Sequence, residues 1–100
     1  MFNYESAYPG LKFELRDHGV LWMTINRPDR MNATDAALHR GLSRVWLDID
    51  EDPDVRVVVV TGAGDAFSAG GDLDWIAGMA GDYATVRNVM KEAGDIVYRM

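Results

Sequence analysis

The sequence predicts an α/β fold. Three observations carry that expectation: two strand-like segments joined by a turn, an amphipathic helical stretch after them, and the β-branched run Val57–Val60. A helix lying between strands implies a sheet covered by helices rather than a bundle or a sandwich.

From Leu11 to Arg16, Leu11, Phe13 and Leu15 alternate with Lys12, Glu14 and Arg16, the period of two of a half-exposed strand. Asp17-His18-Gly19 is a turn signal in which glycine supplies a positive φ, and the apolar run Val20–Ile25 follows, so the two segments read as an antiparallel hairpin. Pro28 cannot donate to a ladder, and Asn26-Arg27-Pro28 ends the second strand. A helix is expected from Thr34 as N-cap, with Asp35 in the first turn and Leu38, Leu42, Val45, Trp46 and Ile49 on one face, to about Asp50. After the acidic breaker Glu51-Asp52-Pro53-Asp54, Val57–Val60 is β-branched on both faces and reads as a strand covered on both sides.

Thr61–Gly71 is a loop with four glycines in eleven positions, leading into a short helix from about Asp72 to Met79. Beyond Gly81, the positions Val86, Val89, Met90, Ala93, Ile96, Val97 and Met100 keep helical spacing to the last residue. That face needs a partner and no capping residue follows it, so residues 1–100 are expected to be the N-terminal part of one longer domain.

Composition narrows the function classes. Of 100 residues, 48% are hydrophobic and 26% charged, which excludes a disordered tail or a low-complexity linker. A net charge of −6 repels nucleic-acid phosphates and anionic lipid, so neither nucleic acid nor membrane is expected as a partner. Without cysteine there is no disulfide framework, thiolate metal site or cysteine nucleophile. No window reaches the roughly 20 apolar residues of a bilayer span, and Met1–Gly10 has no apolar signal core, so a cytoplasmic location is expected. His18 falls in the turn and His39 on the helix, both read as solvated and neither at metal-ligand spacing; no metal is expected. Trp22, Trp46 and Trp75 have apolar neighbours and read as packing residues, and Met79 reads as packed on Trp75 one turn earlier.

The most informative stretch is Phe67-Ser68-Ala69-Gly70-Gly71-Asp72, between a strand and a helix. Consecutive glycines permit close approach of backbone to a ligand, and amides there could stabilise negative charge developing on a carbonyl oxygen. Gly70 and Gly71 could equally form a tight strand-to-helix connection. Gly62-Ala63-Gly64 departs from a dinucleotide fingerprint at Phe67, and the lack of lysine from Thr61 to Met90 excludes a phosphate loop. Ala66-Phe67-Ser68-Ala69-Gly70 approaches a nucleophile elbow, but Gly62–Asp65 intervene between strand and serine.

Taken with Leu21–Ile25, Asn26-Arg27-Pro28 and Met31-Asn32-Ala33, the segment Ala66–Leu73 makes the chain resemble the N-terminal part of the enoyl-CoA hydratase/isomerase (crotonase) family from about Leu11 onward. The resemblance implies a crotonase-like spiral of repeated ββα units, trimers or dimers of trimers, and an acyl-CoA thioester as substrate, with coenzyme A part of that substrate and no separate cofactor. It implies that the Gly71 amide is an oxyanion-hole donor supporting hydration of a 2-enoyl-CoA through an enolate. It further implies that Arg30, Met31 and Ala33 lie toward the adenine end, with Arg30 on a phosphate. Ala69, Gly70, Gly71, Asp72, Leu73 and Asp74 would line the acyl and pantetheine part, Asp72 serving chiefly as a helix cap. The acid and base glutamates of hydratases would lie beyond Met100. Isomerase, decarboxylase and dehalogenase chemistries share the same amides, so they stay open beside hydration, as does a non-catalytic CoA-binding fragment.

Overall fold

The computed structural model describes residues 2–100. A short helix α1 (Tyr4–Ala7) precedes β1 (Leu11–Arg16) and β2 (Val20–Ile25); then come α2 (Ala36–Glu51), β3 (Val57–Gly62), α3 (Leu73–Gly78) and α4 (Tyr83–Tyr98). The order ββα followed by β is that of an α/β layer, as expected.

β1 and β2 pair antiparallel from Leu11↔Ile25 to Arg16↔Val20, and β2 and β3 pair parallel from Val20↔Val57 to Ile25↔Gly62. The hairpin turn places two residues at positive φ, His18 (65°) as well as Gly19 (75°). α2 covers one face of this three-stranded sheet. Leu38, Leu42, Val45, Trp46 and Ile49 meet Leu21, Met23 and Ile25 with Tyr4 and Tyr8, while Val58 and Val60 pack at the margin. Fully burying each such aliphatic side chain contributes about 1.5–3 kcal/mol, so this single face carries most of the cohesion. The indole N–H of Trp46 is buried there without a protein partner among the described residues.

The structure corrects three sequence expectations. Asp35, not Thr34, caps α2: its carboxylate accepts from the Leu38 N–H at 2.9 Å, because the Thr34 backbone is engaged elsewhere in a bridge to Gly71. β3 is not covered on both sides. It lies at the end of the strand order with Val57 52% exposed, since helix packs on one face only. His39 is not solvated; its side chain is 12% exposed and its ring faces Glu92 and Trp75.

α4 crosses α2 with Ile96 against the core, leaving Val86, Met90 and Val97 exposed, and it closes at Arg99, whose N–H bonds the Asp95 carbonyl at 2.9 Å. Met79 is buried at the end of α3. No helix is long and apolar enough to cross a membrane among the described residues.

Candidate active site

Two loops meet at the end of β2 and β3, and the side chain of Asn32 is buried between them. Asn32 sits at φ 57°, a region asparagine tolerates better than most residues, and is fully buried. Its Oδ1 accepts from the Arg27 N–H at 2.8 Å, and its Nδ2 donates to the carbonyls of Ala63 (2.8 Å) and Ala66 (2.7 Å). Ser68 Oγ donates to the Asn32 carbonyl at 2.8 Å and accepts from the Gly70 N–H at 3.2 Å. The serine hydroxyl is thus occupied in shaping the loop, and its hydrogen bonds involve no histidine, so the structure gives it no nucleophile's base.

Above this junction, Thr34 and Gly71 form an isolated parallel bridge. The Thr34 N–H donates to the Gly70 carbonyl at 2.7 Å, and the Asp72 N–H donates to the Thr34 carbonyl at 2.8 Å. In such a bridge successive amides alternate in direction, so the Gly71 N–H is turned away from Thr34. Among the described residues it has no acceptor. Gly70 holds φ 94°, which favours glycine, and nothing lies within 4 Å of where its Cβ would stand. At Gly71 a Cβ would come within 2.8 Å of Ile76 Cδ1, so the absence of a side chain lets α3 close onto the strand-like segment.

Asp72 anchors that closure. Its carboxylate caps α3 by accepting from the Asp74 N–H at 3.0 Å, and it pairs with Arg30 Nη2 (2.9 Å) and Arg27 Nη2 (3.3 Å). Burial opposes the charge on Asp72, yet the Asp74 and Trp75 amides and the two guanidiniums outweigh it and hold the carboxyl below its ordinary range. Arg27 also donates to the Ala33 carbonyl and lies 3.7 Å from Asp35.

The remaining predicted residues separate into two groups. Met31, Ala69, Leu73 and Asp74 are exposed around the Gly70–Gly71 segment. Ala33 is buried, its N–H bonded to the Arg30 carbonyl and its own carbonyl to Arg27. Arg30 is partly exposed and shares one guanidinium nitrogen between Asp72 and Asp74 (2.7 Å), leaving its other N–H groups available for an anion. Among the described residues no three His, Asp or Glu side chains gather as a metal cage. The role of Asn32 was not anticipated, though its place between a proline turn and a helix, where αL backbone is common, is a readable signal.

The sequence pattern of the enoyl-CoA hydratase/isomerase family matches residues 16–99. The chain belongs to that family. A hydroxycinnamoyl-CoA hydratase-lyase of Pseudomonas fluorescens is 38% identical over 73 residues, covering 73% of this chain and 26% of the relative. A mevalonyl-coenzyme A hydratase of Beauveria bassiana is 47% identical over 57 residues, 56% of this chain and 20% of the relative. Among solved structures, an enoyl-CoA hydratase/isomerase from Mycobacterium paratuberculosis superimposes with a TM-score of 0.82 at 34% identity, over 90% of this chain and 36% of its own. The crotonase-type α/β fold is therefore present over the portion this chain spans, which is about a third or less of the length of these family members.

Proposed function

We propose that the chain forms the enolate-stabilising part of an enoyl-CoA hydratase-like active site, adding water to a 2-enoyl-CoA thioester. The observation that carries this reading is the Gly71 N–H, held without an acceptor by the Thr34 bridge and the Asp72 cap. An amide fixed in place before reaction loses no reorganisation energy when charge grows on a thioester oxygen, and one such donor is worth about 10²–10³ in kcat. In this reading the exposed surface of Ala69, Gly70, Leu73 and Asp74 flanks the acyl and pantetheine portion. Met31 and Arg30 face the nucleotide end, with Arg30 offering its free donors to a phosphate. Ala33 serves from beneath, as a packed support. Residues 1–100 form the N-terminal part of a single domain, and the carboxylates that move protons to and from substrate belong to sequence beyond Met100. A cytoplasmic location and a trimer or dimer of trimers complete the proposal.

The test is removal of the N–H alone. Replacing Gly71 by glycolic acid turns the amide into an ester and adds no side chain beside Ile76. In the protein as its host expresses it, hydration of crotonyl-CoA is expected to lose about 10²–10³ in kcat with KM little changed. An ester variant that folds and keeps its full rate would overturn the assignment.

A further inference from the structure

We propose that His39 is a positioning residue for α3 and, through α3, for the Gly71 amide; the proposal rests on the reading of that amide as the oxyanion donor. α3 is thinly attached. Leu73, Asp74, Ile76, Ala77 and Gly78 are exposed, and the helix is held by Asp72 and the Asp74–Arg30 pair at its start, by Trp75 and Ile76 along it, and by Met79 at its end. The Trp75 ring lies against the imidazole of His39 on α2, centroids 5.1 Å apart at 54°. On its other side, His39 Nδ1 is 2.8 Å from Glu92 Oε1 on α4. A carboxylate only accepts, so Nδ1 carries a proton and donates it to Glu92, which fixes the orientation of the ring.

His39 is thus the place where three helices meet: α4 orients its ring, α2 carries it, and α3 leans on it. The next residue after Trp75 is Ile76, whose Cδ1 fills the space beside Gly71. A displacement of Trp75 therefore moves Ile76 and the peptide it supports, and a misplacement of about 1 Å in a catalytic constellation can lower the rate about a hundredfold.

The experiment uses the protein as its host expresses it, with three single variants and the double variant His39→Phe/Glu92→Ala. His39→Phe keeps a ring for Trp75 but loses the bond to Glu92, Glu92→Ala loses the same bond from the more exposed side, and Glu92→Gln keeps an acceptor. Amide hydrogen exchange is read at Ile76 and Met79, whose N–H groups bond within and around α3. Exchange there is expected to quicken in His39→Phe and Glu92→Ala, with α2 unchanged. Their kcat should fall about tenfold or more at unchanged KM, Glu92→Gln should behave as the parent, and the double variant should lose no more than either single one. Unchanged exchange in both variants, or faster exchange with unaltered kcat, would overturn the proposal. Should the Gly71 ester keep its full rate, it is the oxyanion reading that fails, and the exchange data alone decide whether His39 holds α3.

Discussion

Asn32 joins the two loops by three hydrogen bonds from a side chain with no solvent exposure. Asn32→Ala leaves the Arg27 N–H and two carbonyls short of a partner, and is expected to lower stability by about 2–4 kcal/mol in urea unfolding. N32D keeps the shape but points a second acceptor at two carbonyl oxygens. Its carboxyl is favoured neutral in the fold, so its folded pKa lies above its unfolded one and stability is lost as pH rises between the two. The variant should be measurably less stable at neutral pH than at pH near 4, the reverse of a carboxylate held by arginines. The position of Asn32 carried a local signal but its partners did not, because Ala63 and Ala66 stand 31 and 34 residues from Asn32 and supply only backbone. His39 and Glu92, 53 residues apart, escaped for the same reason. The segment around Gly71 was easier to single out, since the glycine pair, the cap and the following helix adjoin one another in sequence.

The elements themselves followed from periodicity, which is local: the hairpin, α2 and α4 lie where alternation and helical spacing place them, with α4 ending two residues earlier than expected. What periodicity does not encode is who covers whom. Val57–Val60 satisfies a strand buried on two faces and a strand at the margin equally well, and Thr34 and Asp35 are equally good caps until a bridge engages one of them. Glycine substitutions expose the same distinction. At Gly62, closing β3, a Cβ would collide with the carbonyls of Ala66 and Phe67 and stand 2.7 Å from Phe67 Cα, all backbone atoms that cannot turn aside. At Gly94, within α4, it meets nothing within 4 Å. Gly62→Ala is expected to destabilise by about 1–3 kcal/mol or more, and Gly94→Ala to stabilise by about 0.5–1 kcal/mol. Thermal unfolding of the pair should move in opposite directions.

At the scale of the molecule, hydrogen-bonded phenols and carboxylates set the pH range of stability. Asp52 is held below its ordinary 3.8 by the Tyr4 hydroxyl, 2.6 Å away, and by the Asp54 N–H. Asp72 is lowered by the amides and arginines that outweigh its burial, and Asp82 by Thr85. Their contribution is complete above 3.8 and is lost as pH falls through the lower folded values. Tyr4 and Tyr8 are raised above 10.0 by burial first and then by Asp52 and Asp48, so their contribution is complete below 10.0 and is lost at higher pH. The melting temperature should therefore form a plateau with two shoulders. Tyr4→Phe should weaken both: it removes a buried phenol and takes from Asp52 its strongest donor.

The parallel pairing of β2 with β3 also sets an order of assembly. Every partner in that ladder lies 37 positions along the chain, whereas the β1–β2 ladder narrows from 14 at Leu11↔Ile25 to 4 at Arg16↔Val20. A hairpin of that kind zips in about 1–10 μs. The longer closure costs more chain entropy, and the folding back of α2 brings its ends together, so it is expected to be the slower step. The segment carrying Gly70 and Gly71 hangs from β3, so the amide proposed as the oxyanion donor is expected to reach its place after the hairpin has formed. A substitution that slows docking of α2 would delay the appearance of a competent site long after the hairpin has formed.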